Sequence, residues 1–333
     1  MKKILITGGA GYIGSHAVKL FLEKGFSVVV LDNFFRGYHE PMRILDKFGD
    51  LSVEEVDLLD EEAVKRVFKK HKIDTVLHFA ALCLVNESVE EPQKYMRSNI
   101  EGTRNLLDAM SEAGVKQIIF SSTCAVYGEA KILPVDEEHP TNPVNPYGES
   151  KLGAENLIRE YEKQHEIRSV IFRYFNVCGA ASDGTIGDSK KPSQLLVQNA
   201  VRGAMNIEPF AYTCATVETP DGTPIRDYVD VEDLVYAHYL GYEYLEQNGK
   251  SNVFNLGNGQ GYSVKEIVSA VEKAFAIKMQ KSQAEARKGE YAWIYTNPHK
   301  AKEILRFFPK KSLTESIESL RKWYKGYPNG YKE

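Results

Sequence analysis

Tyr147 and Lys151 stand four residues apart at the head of a stretch with helical periodicity, which puts both on one face with Cβ atoms about 5–6 Å apart. An ammonium beside a phenol favours the phenolate. A tyrosine that starts near pKa ~10 is then drawn toward neutrality, the condition for a general base that takes a proton from a hydroxyl. The same spacing occurs on the exposed face of many amphipathic helices, so the reading needs a third group. The run Phe120-Ser121-Ser122-Thr123 supplies one: an apolar strand ending in hydroxyls puts Thr123 within reach of the tyrosine and of a reacting oxygen.

A second chemical signal lies at the N-terminus. Gly8-Gly9-Ala10-Gly11-Tyr12-Ile13-Gly14 follows the apolar run Ile4-Leu5-Ile6 directly. Glycines are needed there for a tight turn, for close approach of backbone to a pyrophosphate and for helix-on-strand packing, and the helix N-terminus then holds the anion. Ser27 to Leu31 is a second apolar run, and it ends in Asp32, about 20 residues past the glycines, where a carboxylate accepts hydrogen bonds from ribose hydroxyls. Asp32 would repel a 2′-phosphate, so NAD is expected rather than NADP. Arg36 keeps NADP open as the lesser alternative.

These residues need a frame. Apolar runs near 3–7, 27–31, 52–56, 74–79, 116–121 and 168–173 alternate with helix-period stretches near 12–24, 61–70, 92–113 and 147–164. That rhythm predicts an α/β fold: a Rossmann-type doubly wound parallel sheet, both faces covered, with ligands beyond the carboxyl ends of its strands. After residue 176 the rhythm breaks into shorter, loop-rich segments, read as a smaller C-terminal α/β substrate-binding lobe. The expected division is 1–175 and 176–333, with elements around 225–258 returning to the first part. Ser263 and Glu266 form a capping box that opens a helix, so Ser263 is expected to be structural.

The 333 residues carry a formal net charge of −4, which provides no basic field for nucleic acid or an anionic membrane. No apolar run approaches the ~20 residues of a membrane span, and the first residues enter a strand without a hydrophobic leader, so a cytoplasmic protein is expected. The four cysteines and eight histidines show no ligand or redox spacing, and no metal site is expected.

In order and spacing the motifs resemble the extended short-chain dehydrogenase/reductase family and, within it, the nucleotide-sugar 4-epimerases. They include Thr7 to His16, Leu31-Asp32-Asn33, His78-Phe79-Ala80-Ala81, Glu87-Ser88, Asn99 to Thr103, Tyr147 to Lys151, Arg173-Tyr174-Phe175-Asn176, Asp221-Gly222-Thr223, Ile225 to Tyr228 and Asn255-Leu256-Gly257. The resemblance implies a tightly held NAD in contact with Gly8, Gly11, Tyr12, Ile13, Gly14, Asp32 and Asn33. It adds Asp57 at the adenine with Leu58, Phe79, Ala80 and Ala81, and places Asn99, Tyr147, Lys151 and Tyr174 on the cofactor side of the cleft. Tyr147 is then the base, Lys151 bridges the nicotinamide ribose, and Thr123 partners the reacting hydroxyl. Asn176, Arg226 and Arg287 are implied to hold a nucleotide-sugar pyrophosphate, with Gln194, Leu195 and Glu290 as further substrate contacts. The expected reaction interconverts UDP-glucose and UDP-galactose through a 4-keto sugar, in a homodimer formed through helices near 92–113 and 147–164.

Related dehydratases carry Asp-Glu after the threonine, whereas Cys124-Ala125 follows it here, and neither residue can do that acid–base work. Other departures face the substrate: Cys83 replaces an expected lysine, Thr213 to Val217 replaces an aromatic and a glycine, and Gln194 follows Lys191-Pro192-Ser193 where Asn or His is usual. Ile294 falls where a bulky side chain would limit the sugar C2 substituent. An epimerase or 4-reductase of another nucleotide sugar, or a non-catalytic NAD-binding protein, are the alternatives.

Overall fold

The computed structural model describes residues 1–190, 193–285 and 291–332. Seven parallel strands form the main sheet: β1 (Lys3–Thr7), β2 (Ser27–Asp32), β3 (Leu51–Glu55), β4 (Thr75–His78), β5 (Gln117–Thr123), β6 (Arg168–Tyr174) and β7 (Asn252–Leu256). Their spatial order is β3-β2-β1-β4-β5-β6-β7. The chain reverses direction across the sheet between β1 and β4, and a crevice opens at that point beyond the strand ends.

Alternation along each strand explains the continuous apolar runs. Ile4 and Ile6 enter one core cluster with Val28 and Val30, together with α1 (Tyr12–Glu23) and α5 (Val231–Glu246). Leu5, Val29 and Leu31 enter the other, with α2 (Glu61–Lys70), α3 (Gly102–Ala113) and α4 (Pro146–His165). Both faces are dry, so neither alternate set can be polar.

Local chemistry sets the helix that carries Tyr147 and Lys151. The Asn145 side chain accepts from Gly148 N at 2.9 Å and Pro146 takes the first helical position, so α4 starts abruptly one residue before the tyrosine. The stretch expected as one helix over 92–113 is interrupted. It runs as Pro92–Met96, a π-type turn at Arg97–Glu101 and then α3. The wide turn lets the Asn99 side chain reach the Leu82 backbone and Ser150 Oγ, a use of π-turns common near functional sites.

The smaller lobe contains a second sheet built on Ile225–Asp230, which pairs with Gly261–Ser263, Trp293–Ile294 and Asn176–Cys178. The Ser263 capping box is formed: Ser263 Oγ accepts from Glu266 N at 3.0 Å, and Glu266 accepts from Ser263 N at 2.7 Å. Between its two excursions into this lobe the chain returns to the main sheet as β7.

One buried ion pair ties α4 to the sheet. Glu155 on α4, with no exposure, receives Arg173 Nη2 at 2.6 Å and Nε at 3.0 Å; Arg173 on β6 is 4% exposed. Ser122 on β5 donates to the same carboxylate, and Arg173 also reaches Tyr127 OH, which bonds Asn255 on β7. Removing one partner of such a pair strands the other charge in the core. Glu155→Gln is therefore expected to lower the unfolding free energy by about 3 kcal/mol or more in chemical denaturation; a loss below ~1 kcal/mol, the scale of an exposed pair, would contradict it.

Candidate functional site

The crevice at the β1/β4 switch is lined from both sides by the glycine turn and by Phe79 to Cys83. Gly8 has φ +71°, and a Cβ there would lie 2.6 Å from Ala80 N; one at Gly14 would lie 2.1 Å from Gly8 O. These glycines hold strand, turn and helix at backbone contact. No side chain caps α1 at Gly11, so its first N–H groups remain for an anion. The Asp32 carboxylate ends β2 at the crevice wall, accepting from Ala10 N and Phe34 N, each at 2.9 Å; burial raises its pKa against those two bonds. Beyond it, Asn33 donates to Asp57 at 2.8 Å, with Val56 and Leu58 forming an apolar slot. Arg36 also lines the crevice, but its guanidinium pairs with Glu87, whose carboxyl is held down at about 2 by hydrogen bonds from Tyr95 and Lys94 and by the Arg36 charge, against burial. A 2′-phosphate would have to compete with that carboxylate. The cradle, the open helix end and the acidic ribose position fit NAD.

Tyr147, Lys151 and Tyr174 line the far end of this crevice. Lys151 is 3% exposed, and among the described residues no hydrogen bond satisfies its ammonium, which lies 4.3 Å from the Phe120 ring centre. Burial lowers its pKa to about 8. In the protein alone burial raises the Tyr147 phenol well above 10, Tyr174 and Cys83 add to the rise, and a hydrogen bond with Thr123 opposes it; the lowering expected from Lys151 together with a positively charged nicotinamide concerns the protein with cofactor bound. Helical spacing puts Tyr147 and Lys151 on the same crevice but says nothing of desolvation, which penalises both charged forms here. Thr123, 7% exposed at the end of β5, thus touches the phenol from behind. Among the largest influences on Tyr147 there is no carboxylate, and the neighbouring Cys124 thiol is pushed up to about 12 by burial.

A second cleft is lined by Asn176, Gln194, Thr213, Cys214 and Arg226. The Arg226 guanidinium is held by the carbonyls of Ile225 (2.9 Å) and Tyr291 (2.9 Å) and makes no ion pair among the described residues. Those carbonyls fix its position, and a guanidinium fork so held is suited to a diphosphate. Residues two apart in sequence line the two clefts: Tyr147 and Cys83 line the first, while Asn145 and Val85 line the second.

Other residues singled out from the sequence are placed differently. Asn99 is buried behind the crevice wall, holding Leu82 and Ser150. Leu195 packs on the main core, and its neighbour Leu196 lines the second cleft. Ile294 is 1% exposed among Val126, Tyr127 and Phe175 and lines neither cleft. Arg287, Glu290 and the pair Lys191-Pro192 lie outside the described residues. Sequence reasoning passed over Lys190, which lines the crevice with its ammonium 3.6 Å from Cys83 Sγ; the doubled lysine 190–191 between Ser189 and Pro192 carried no motif.

The sequence profile of the NAD-dependent epimerase/dehydratase family matches residues 4–257. The chain is 41% identical to a UDP-glucose 4-epimerase of Halalkalibacterium halodurans, covering 98% of this chain and 97% of that protein. It is 39% identical to UDP-arabinose 4-epimerase 1 of Arabidopsis thaliana, over 98% of this chain and 80% of that one. A crystal structure of UDP-glucose 4-epimerase from Bifidobacterium longum in complex with NAD+ and UDP superposes with a TM-score of 0.94 at 34% identity, covering 99% of this chain and 100% of that one.

Beneath the crevice, His78 bridges Thr7 Oγ1 (2.6 Å) and Thr103 Oγ1 (2.9 Å), and burial lowers its pKa to about 3. The unfolded chain therefore binds a proton near pH ~6.5 that the folded chain refuses, and this residue's contribution to stability falls as pH drops from ~6.5 toward 3, by roughly 1.4 kcal/mol per unit. Stability of His78→Asn measured between pH 6.5 and 4 should fall less steeply than that of the parent by about that slope; parallel curves would contradict a neutral buried imidazole.

Proposed function

The chain belongs to the NAD-dependent epimerase/dehydratase family, and from that footing we propose that it is a nucleotide-sugar 4-epimerase whose substrates are UDP-glucose and UDP-galactose. The observation that carries the reading is the position of Tyr147. It lines the dinucleotide crevice together with Lys151 and bonds Thr123, Asn145 two residues earlier lines the second cleft with Arg226, and no carboxylate is among the largest influences on its phenol. A dehydratase needs further acid–base groups after the threonine; Cys124 and Ala125 supply none.

Bound NAD supplies the acceptor and later the donor of a hydride at the sugar C4. Tyr147 takes the proton from the 4-hydroxyl at its phenol oxygen, and Thr123 holds that sugar oxygen by a hydrogen bond. The desolvated phenol is a weak base by itself, and Lys151, whose ammonium has no hydrogen-bond partner among the described residues, would bond the nicotinamide ribose and stabilise the phenolate through charge. Asn176 and Arg226, with Arg287, hold the diphosphate while the sugar stays loosely held, so the 4-keto sugar can turn about its phosphate link and present its other face. Tyr147 then returns the proton to the same oxygen. Asn33, Asp57 and Leu58 would receive the adenosine end, and Gln194 the uridine diphosphate side.

A second reading has its own support: the similarity to a UDP-arabinose 4-epimerase, with the Thr213-Cys214 departure lining the second cleft, favours a UDP-pentose for the same chemistry. Homodimerisation through the helices of 92–113 and α4, and a cytoplasmic location, rest on the family resemblance.

Incubation of the purified protein with UDP-galactose, UDP-arabinose and other nucleotide sugars, read by chromatography, separates these readings. Conversion of UDP-galactose to UDP-glucose is expected, and inertness toward every sugar would sink the proposal. Tyr147→Phe should keep fold and cofactor while lowering turnover by at least ~100-fold; near-normal turnover would remove Tyr147 as the base. Arg226→Ala should raise the dissociation constant of UDP by ~10-fold or more, measured by calorimetry, and an unchanged value would remove Arg226 from the diphosphate site.

A further inference from the structure

Three cationic side chains line the dinucleotide crevice, and they differ in what already holds them. Arg36 is committed to Glu87. Lys151 stands at the Tyr147 end over Phe120. Lys190 comes from the other lobe, and among the described residues the only hydrogen-bond contact of its ammonium is Cys83 Sγ at 3.6 Å. A thiol is a poor acceptor, and among the described residues no carboxylate lies within ion-pair distance of it. Asp188, two residues before it, accepts from Ser193 Oγ at 3.0 Å.

The backbone that presents Lys190 is fixed from both sides. Ser189 O accepts from Tyr38 OH at 2.9 Å, and Tyr38 N bonds Ala10 O of the glycine turn at 3.2 Å. From the other lobe Trp323 Nε1 bonds Asp188 O at 3.3 Å, and Tyr331 N bonds Ser189 Oγ at 2.8 Å. Lys190 is therefore presented into the crevice that the α1 N-terminus also lines, and its ammonium reaches Cys83, which ends the Phe79–Cys83 wall. A dinucleotide lying on the glycine turn brings two negative charges into this space, and one helix terminus offers about half a positive charge.

We propose that Lys190 is a cofactor-binding residue: its ammonium bonds the diphosphate of the bound dinucleotide from the side opposite α1, so the second lobe holds the cofactor in place between half-reactions. The inference deepens the NAD-dependent reading above and rests on it for the identity of the dinucleotide.

The test compares holoenzymes of the parent, Lys190→Met and Lys190→Arg, following release of bound NAD after dilution and gel filtration, with UDP binding measured in parallel. Lys190→Met should release NAD at least ~10-fold faster, the lower end for a charge-assisted bond. Lys190→Arg should stay near the parent, and UDP affinity should be unchanged in both, which also shows that Lys190→Met is folded. Parent-like NAD release by Lys190→Met, or a loss of UDP affinity in its place, would overturn the assignment. Faster NAD release in a protein that converts no nucleotide sugar would support the role of Lys190 while removing the epimerase reading.

Discussion

The geometry of the reacting end depends on a carboxylate and a guanidinium kept out of water. Glu155 and Arg173 bind each other twice, and with Ser122, Tyr127 and Asn255 they join α4 to β5, β6 and β7. Two turns before Glu155 on the same helix lies Tyr147; one turn before it lies Lys151. Thr123 is one residue past Ser122 on β5. A single polar network thus sets the distance between the phenol, the ammonium and the hydroxyl. Such a network has discrete geometry, which apolar packing alone does not impose, and this is a reason for placing ions in a core where they bring little net stability.

Burial acts on the same residues in a second way. The crevice is deep enough that the protein alone disfavours both the Tyr147 phenolate and the Lys151 ammonium. Charge on either becomes favourable only beside a partner of opposite sign, so the proposed role of Tyr147 as base requires the company of bound cofactor and substrate. Groups that must not titrate are handled by the same physics: His16, His78 and His238 are all lowered to about 4 or below by burial, and they serve as neutral spacers between strands and helices.

Legibility from sequence followed the range of the interactions. The glycine turn, Asp32 and the Ser263 capping box are local, each decided within a few residues, and they could be read directly; the Asn145 cap and Pro146 that start α4 are equally local and were passed over. The parallel, doubly wound character of the sheet followed from alternation of strand and helix, while its strand order came only with the structure. The π-type turn at Arg97–Glu101 was hidden because its cause is Asn99 reaching Leu82 and Ser150, which are distant in sequence. Ile294 could be placed near the sugar by alignment, but only packing against Val126 and Phe175 decides which way it points. Lys190 was invisible for the same reason: its significance lies in Cys83 and Tyr38, more than 100 residues away.

The central claim is that a hydride leaves C4 of the sugar and returns to the same carbon without leaving the protein. UDP-galactose deuterated at C4, mixed with unlabelled UDP-galactose marked elsewhere in the ring with ¹³C, tests this directly by mass spectrometry of the product. The account predicts UDP-glucose that keeps its deuterium at C4, with none crossing to the ¹³C-marked molecules. Loss of the label to solvent, or its appearance on the marked sugar, would contradict a hydride held within one site.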